Sequence, residues 1–491
     1  MGSEIAQLHV MFFPFMAQGH MIPILDMVKL FGLRGVKTTI VTTPVNLPLI
    51  SKAIKRTKDL GVEIDVKIVK FPSTEAGLPK GCENLDAITD NEIEMTIKFF
   101  KGTSMLQEPL ELLLEECKPD CIVADMFFPW TTDAAAKFGI PRLVFHGTSF
   151  FAMCSSECVA THEPHKKVSS DSEPFLVPGL PGDIKLTRTQ LPDYAGLDAG
   201  NEIAKLLKDA NEVELKSFGV VFNSFYELEP AYADYYRKVM GRRAWHIGPV
   251  SLCNRDAQDK ASRGKQASID EHKCLKWLNA KKPNSVVYIC FGSLACLDSA
   301  QLMEIAIGIE ASGQEFIWVV RKNKKDEEEE EDWLPEGFEK RIEGKGLIVR
   351  GWAPQVLILE HKAMGGFVTH CGWNSILEGV TAGVPMITWP TFAEQFYNEK
   401  LVTQVLKIGV GVGVQQWARQ RTAIEDFVRR ERIEKRVKEI MVGDEAEEMR
   451  SRAKVLGEMA RRAVEKEGSS HSDFNALIEE LKVLRSSTKE T

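Results

Sequence analysis

No stretch of this sequence reaches the roughly 18–20 continuous apolar residues that a membrane-spanning helix needs, so no span is expected. Cysteine is scarce, ten in 491 residues, far below the density of a disulfide scaffold. Cys121, Cys290 and Cys371 sit inside apolar runs, the usual setting of buried reduced thiols. The cysteines have no clustered ligand partners, and no metal site is expected. Basic residues are outnumbered, 62 against 70 acidic ones, for a net charge of −8. A sequence-independent nucleic-acid binder needs a basic footprint, so no nucleic-acid partner is expected. The opening MGSEIA carries acid where a signal peptide has base, and Ala6 where an N-myristoylation signal has Ser or Thr. The expectation is a soluble, unanchored, cytoplasmic monomer.

Several enzyme signatures are also missing. Neither half carries G-x-G-x-x-G after its first strand, which argues against a dehydrogenase, epimerase or flavin enzyme. There is no P-loop and no G-x-S-x-G nucleophile elbow.

What is present is alternation. The apolar run at residues 8–15 (LHVMFFPF) reads as a buried strand, and helical spacing follows at residues 22–31 with Pro23 near the first turn. A second strand is expected at residues 37–43, and others at 63–71, 120–125 and 140–145. Strand, helix, strand implies a parallel sheet covered by helices. The pattern restarts at residues 285–291. A helix is expected near 300–311, with strands at 315–321, 346–350, 366–369 and 384–388. The division expected is a first α/β domain over residues 1–250, a polar linker over 251–270, a second α/β domain over 271–465 and a helical tail over 466–491 packing back on the first. The acidic run at 326–332 reads as a solvated loop.

Ligands of open parallel sheets bind beyond the carboxyl ends of the strands. His20 follows the first strand, and Asp125 closes the strand CIVAD. An imidazole oriented by a carboxylate is a general base. With no serine elbow beside it, the nucleophile can be a hydroxyl of the substrate. His146 and His370 also follow strands. In the second half, residues 352–395 concentrate the polar groups of one site: WAPQVLILEHKAMGGFVTHCGWNSILEGVTAGVPMITWPTFAEQ. Trp352 offers a stacking surface for a base. Glu378, four residues after Asn374, offers a carboxylate to a pair of ribose hydroxyls. The helix start at Asn374 and Ser375 offers donors to a phosphate.

This segment resembles the nucleotide-sugar signature of plant family 1 UDP-dependent glycosyltransferases. The likeness extends through FPFMAQGHMIP at residues 13–23, ADMFFPW at 124–130 and FGS at 291–293. It is greatest for the subgroup acting on flavonoids, other phenolics and triterpenoids. The resemblance implies a GT-B fold, two Rossmann-like domains facing a cleft. It implies that Trp352 stacks on uracil, with Ala353 and Gln355 beside the nucleoside and Glu378 on the ribose. Ser293, His370, Asn374 and Ser375 would hold the diphosphate, and Trp373, Glu394 and Gln395 the sugar. His20 and Asp125 would be the catalytic pair of an inverting O-glucosyltransferase that uses UDP-glucose as co-substrate, with no cofactor and no metal. Phe127, Phe128, Phe150 and Phe151 are candidates for binding a small hydrophobic hydroxylated acceptor.

Overall fold

The structure is a computed structural model and describes residues 7–88, 93–192, 202–294, 297–320, 334–417 and 427–489. The acidic run at 326–332 lies outside the described residues. Strands β1 (His9–Phe13), β2 (Lys37–Thr42), β3 (Ile64–Ile68), β4 (Cys121–Asp125) and β5 (Arg142–Phe145) come first. A short hairpin of β6 (Phe175–Leu176) and β7 (Lys185–Leu186) follows, then β8 (Gly219–Phe222) and β9 (Ala244–His246). All but the hairpin form one parallel sheet of seven strands in the order β3-β2-β1-β4-β5-β8-β9. The second sheet is also parallel and has six strands: β10 (Val286–Cys290), β11 (Glu315–Val320), β12 (Gly346–Arg350), β13 (Met364–Thr369), β14 (Met386–Thr388) and β15 (Gly409–Gly411). Its order is β12-β11-β10-β13-β14-β15.

The apolar runs follow from this architecture. A parallel sheet is covered on both faces, so its central strands read as continuous hydrophobic stretches. Every residue of β1, β4 and β13 is buried. Three strands, β8, β9 and β15, extend the sheets beyond the runs that the sequence made conspicuous. They are short, and β15 is Gly-Val-Gly, with little side chain to signal a strand. Cys121 and Cys371 are fully buried, whereas Cys290, at the end of β10, is half-buried.

The strand orders locate the functional edges. In each sheet the chain order reverses beside the first strand, between β1 and β4 and between β10 and β13. Such switch points open a crevice at the carboxyl edge. Phe13 of β1 pairs with Ala124 of β4, so the loop after β1 starts level with Asp125. The helix Gln18–Leu33 then runs back along the sheet, burying Met21, Ile24, Met27, Val28 and Phe31.

Two connecting segments are anchored. Residues 251–270 include the helix Ala257–Ala261, whose Asp259 takes Lys29 Nζ at 2.8 Å and Arg56 Nε at 2.7 Å. The last helix, Ser469–Lys489, returns to the first sheet. Phe474 meets Phe31 with ring centroids 4.6 Å apart, and Asp473 accepts from the His246 main-chain amide at 3.0 Å. Among the described residues no helix is long and apolar enough to cross a membrane.

Candidate active site

His20 lies in the first turn of the helix Gln18–Leu33, and its Nδ1 is 2.7 Å from Asp125 Oδ2. Asp125 is fully buried, while the imidazole keeps 20% exposure. With Nδ1 engaged, Nε2 is the nitrogen left for the cleft. The carboxylate is itself fixed, since Oδ1 accepts from the Phe127 amide at 3.1 Å. Arg142 lies beneath, donating to the Asp125 main-chain oxygen at 2.8 Å, and burial brings its pKa down to about 10. Burial disfavours the His20 imidazolium. The Asp125 charge, its hydrogen bond and the Glu394 charge outweigh burial, so the His20 pKa is raised. His146 is not an alternative base: its side chain is fully buried, and Nε2 is bound by Glu214.

The opposite wall is built around the second switch point. Ser293 follows β10 and His370 follows β13. The His370 ring is packed between two glycines. A Cβ on Gly292 would approach its Cε1 to 2.5 Å, and one on Gly372 its Nε2 to 2.5 Å. Burial holds its pKa down at about 4, and Nδ1 has no partner. At neutral pH this is an uncharged imidazole with hydrogen-bonding capacity to spare. The helix Trp373–Ala382 starts beside it. Gln355 Nε2 donates to Ser375 Oγ at 3.1 Å and to Glu378 Oε2 at 2.8 Å, gathering three expected donor-site residues. Trp352 is half-buried with an unpartnered indole Nε1, and Ala353 beside it is buried.

Some side chains are placed differently from the expectation. The indole of Trp373 faces inward at 2% exposure, and its Nε1 donates to the Asn223 carbonyl at 2.8 Å. It is a strut between the two halves, and its backbone amide hydrogen-bonds the Glu394 carboxylate. Asn374 uses its amide on the Gly19 carbonyl at 2.6 Å. Gln395 Oε1 accepts from Thr391 N, Thr391 Oγ1 and Phe392 N at 2.8, 2.7 and 3.2 Å, which leaves the NH₂ as its free end. Glu394 accepts from Asn398 at 3.1 Å, and burial raises its pKa.

Of the four phenylalanines, three are core. Phe128 stacks on Phe13 at 4.3 Å, Phe150 on Phe222 at 3.7 Å, and Phe151 packs edge-on against Tyr232 at 4.7 Å, all at 0% exposure. Phe127 alone is partly exposed, 5.4 Å from the His20 ring and against Phe15 and Phe100. Arg263 and Asp26 had no signal in the sequence. Arg263 donates to Asp26 at 2.7 Å and also to Glu378, from a polar stretch without periodicity.

The family model described as UDP-glucoronosyl and UDP-glucosyl transferase matches residues 244–436. A scopoletin glucosyltransferase of Nicotiana tabacum is 60% identical over 97% of this chain and 98% of its own length. A UDP-glucose flavonoid 3-O-glucosyltransferase 7 of Fragaria ananassa is 59% identical, covering 97% and 96%. The crystal structure of Glycyrrhiza uralensis UGT73P12 complexed with glycyrrhetinic acid 3-O-monoglucuronide superposes with a TM-score of 0.91 at 44% identity, over 99% of this chain and 97% of that one. With its two Rossmann-like sheets in the GT-B arrangement, the chain belongs to the UDP-dependent glycosyltransferases of plant family 1.

Proposed function

We propose that this enzyme transfers glucose from UDP-glucose to a phenolic hydroxyl of a small plant metabolite, with inversion at the anomeric carbon. The observation that carries the reading is the His20–Asp125 pair at 2.7 Å, at one switch point and facing the donor-site residues of the other. Scopoletin and flavonoids, the acceptors in the names of two relatives near 60% identity, both bear phenolic hydroxyls.

The acceptor O–H donates to His20 Nε2, with Phe127 and Phe100 as an aromatic wall beside it. As the oxygen attacks the anomeric carbon, its proton passes to Nε2 and the bond from that carbon to the UDP oxygen breaks. The electron pair leaves with the diphosphate. Asp125 holds the ring by Nδ1–H and stabilises the imidazolium. Backbone amides at the start of the helix Trp373–Ala382, Ser293, Ser375 and the neutral His370 offer donors to the leaving charge. This donor set takes the place of a divalent cation. Trp352 stacks on uracil beside Ala353 and Gln355, and Glu378 accepts from the ribose. Glu394 and the NH₂ of Gln395 bind the glucose hydroxyls. An α-linked donor gives a β-glucoside.

A triterpenoid hydroxyl is the second reading, favoured by the likeness to the structure complexed with glycyrrhetinic acid 3-O-monoglucuronide. The test is incubation with UDP-glucose and a panel of coumarins, flavonoids and triterpenoids, with products read by mass spectrometry and anomeric proton coupling. β-Glucosides of phenolics are expected. Products from triterpenoids alone would overturn the acceptor reading, and α-glucosides would overturn inversion.

A further inference from the structure

We infer that Arg263, from the segment joining the two sheets, is a positioning residue for the nucleotide: it holds Glu378 for the ribose from across the cleft. The inference rests on the reading that Glu378 accepts from the ribose hydroxyls.

Arg263 stands between two buried carboxylates. Its Nε donates to Asp26 Oδ2 at 2.7 Å and its Nη1 to Glu378 Oε1. The exposures are 11% for Arg263, 7% for Asp26 and 6% for Glu378. Asp26 lies on the helix that carries His20 and is also held by Asn254 Nδ2 at 2.8 Å. Glu378 lies on the helix that begins at the proposed phosphate site. One planar guanidinium thus spans both halves of the molecule, and its fork fixes the orientation of both carboxylates.

The occupancy of Glu378 fits a pair of hydroxyls. A carboxylate offers about four lone-pair sites. Arg263 takes one on Oε1, and Gln355 takes one on Oε2. One on each oxygen remains for two neighbouring O–H donors. The residues after Arg263 follow the same site. Gly264 has φ +86°, and a Cβ there would fall 2.3 Å from Trp352 Cζ2, so only glycine lets the chain lie against the indole. Ser268 exchanges two hydrogen bonds with the Trp352 main chain, at 2.7 and 2.9 Å. Lys265 binds Asp86 at 2.8 Å, anchoring the stretch to the first half.

A staple between the halves would show the same ion pairs, so the test must read the ribose. Binding of UDP and of 2′-deoxy-UDP is measured by calorimetry for the parent enzyme, Arg263→Ala, Arg263→Lys and Glu378→Ala. The ratio of the two dissociation constants does not depend on the fraction folded. The parent should prefer UDP by on the order of 10-fold. In Arg263→Ala the ratio should fall toward one, with Arg263→Lys between. If Arg263→Ala kept the full ratio while Glu378→Ala lost it, Arg263 would be a staple and only this inference would fall. If Arg263→Ala bound UDP more tightly than the parent, Arg263 would be a competitor of the ribose, again overturning the inference alone. Equal discrimination by Glu378→Ala and the parent would overturn the ribose assignment and the inference with it.

Discussion

Asn374 donates its side-chain amide to the main-chain carbonyl of Gly19 at 2.6 Å, joining the start of the helix Trp373–Ala382 to the residue before His20. The donor wall is therefore tied to the residue that precedes the proposed base. Replacing the amide with a carboxylate sets two acceptors against each other beside the diphosphate site. Asn374→Asp should lower kcat/KM for UDP-glucose by roughly 2–13-fold, since a hydrogen bond open to solvent is worth about 0.5–1.5 kcal/mol. Asn374→Ala should cost less, because it adds no charge. Steady-state kinetics at saturating acceptor give both values, and a harmless aspartate would refute this role for the contact.

The acid side of the pH profile should report His20. Only the neutral imidazole accepts a proton, and its pKa lies above the ordinary 6.5 because Asp125 and Glu394 outweigh burial. kcat/KM should fall as pH drops through that raised value. Asp125→Asn removes the principal raising partner, so the acid limb should move to lower pH while the plateau falls. A limb that stays in place in Asp125→Asn would assign the titration to another group.

Chelation should leave turnover intact. The proposed donors to the leaving diphosphate are backbone amides, two serines and a neutral histidine, none of which needs a bridging cation. Rates after exhaustive dialysis against EDTA should match the untreated enzyme. A loss restored only by magnesium or manganese would contradict this arrangement.

Gln395 should select the sugar through its NH₂. Its Oε1 is committed to Thr391 and Phe392, so Gln395→Glu keeps an acceptor for the loop contacts and replaces the donor with a charged acceptor. Glucose transfer should weaken by about 5–150-fold, with much less change in UDP affinity. In the parent enzyme, competition at equal concentrations should favour UDP-glucose over UDP-galactose and UDP-glucuronate. Preference for either rival would overturn the donor assignment.

The two strand-end groups, His20 and Asp125, were legible because parallel strands announce themselves as apolar runs and functional groups gather just past them. The segment at 352–395 was legible as a concentration of aromatic, carboxylate and helix-start groups, the ones now proposed to hold the donor. The direction of individual side chains was not. Phe127 and Phe128 are adjacent, yet one borders His20 and the other stacks in the core on Phe13. The indole of Trp373 is turned inward onto the carbonyl of Asn223, a partner 150 residues away. Arg263 left no trace because an ion pair between distant segments has no local period. Strand β15 left almost none because its glycines carry no hydrophobic pattern.

The most direct measurement is the turnover of His20→Ala with UDP-glucose and an unactivated phenol, alongside UDP binding by the same preparation. Removing a general base typically costs about 10²–10⁴-fold in rate. A loss of that size with UDP affinity retained is the expected result. Turnover within a few-fold of the parent enzyme would contradict a catalytic base at His20.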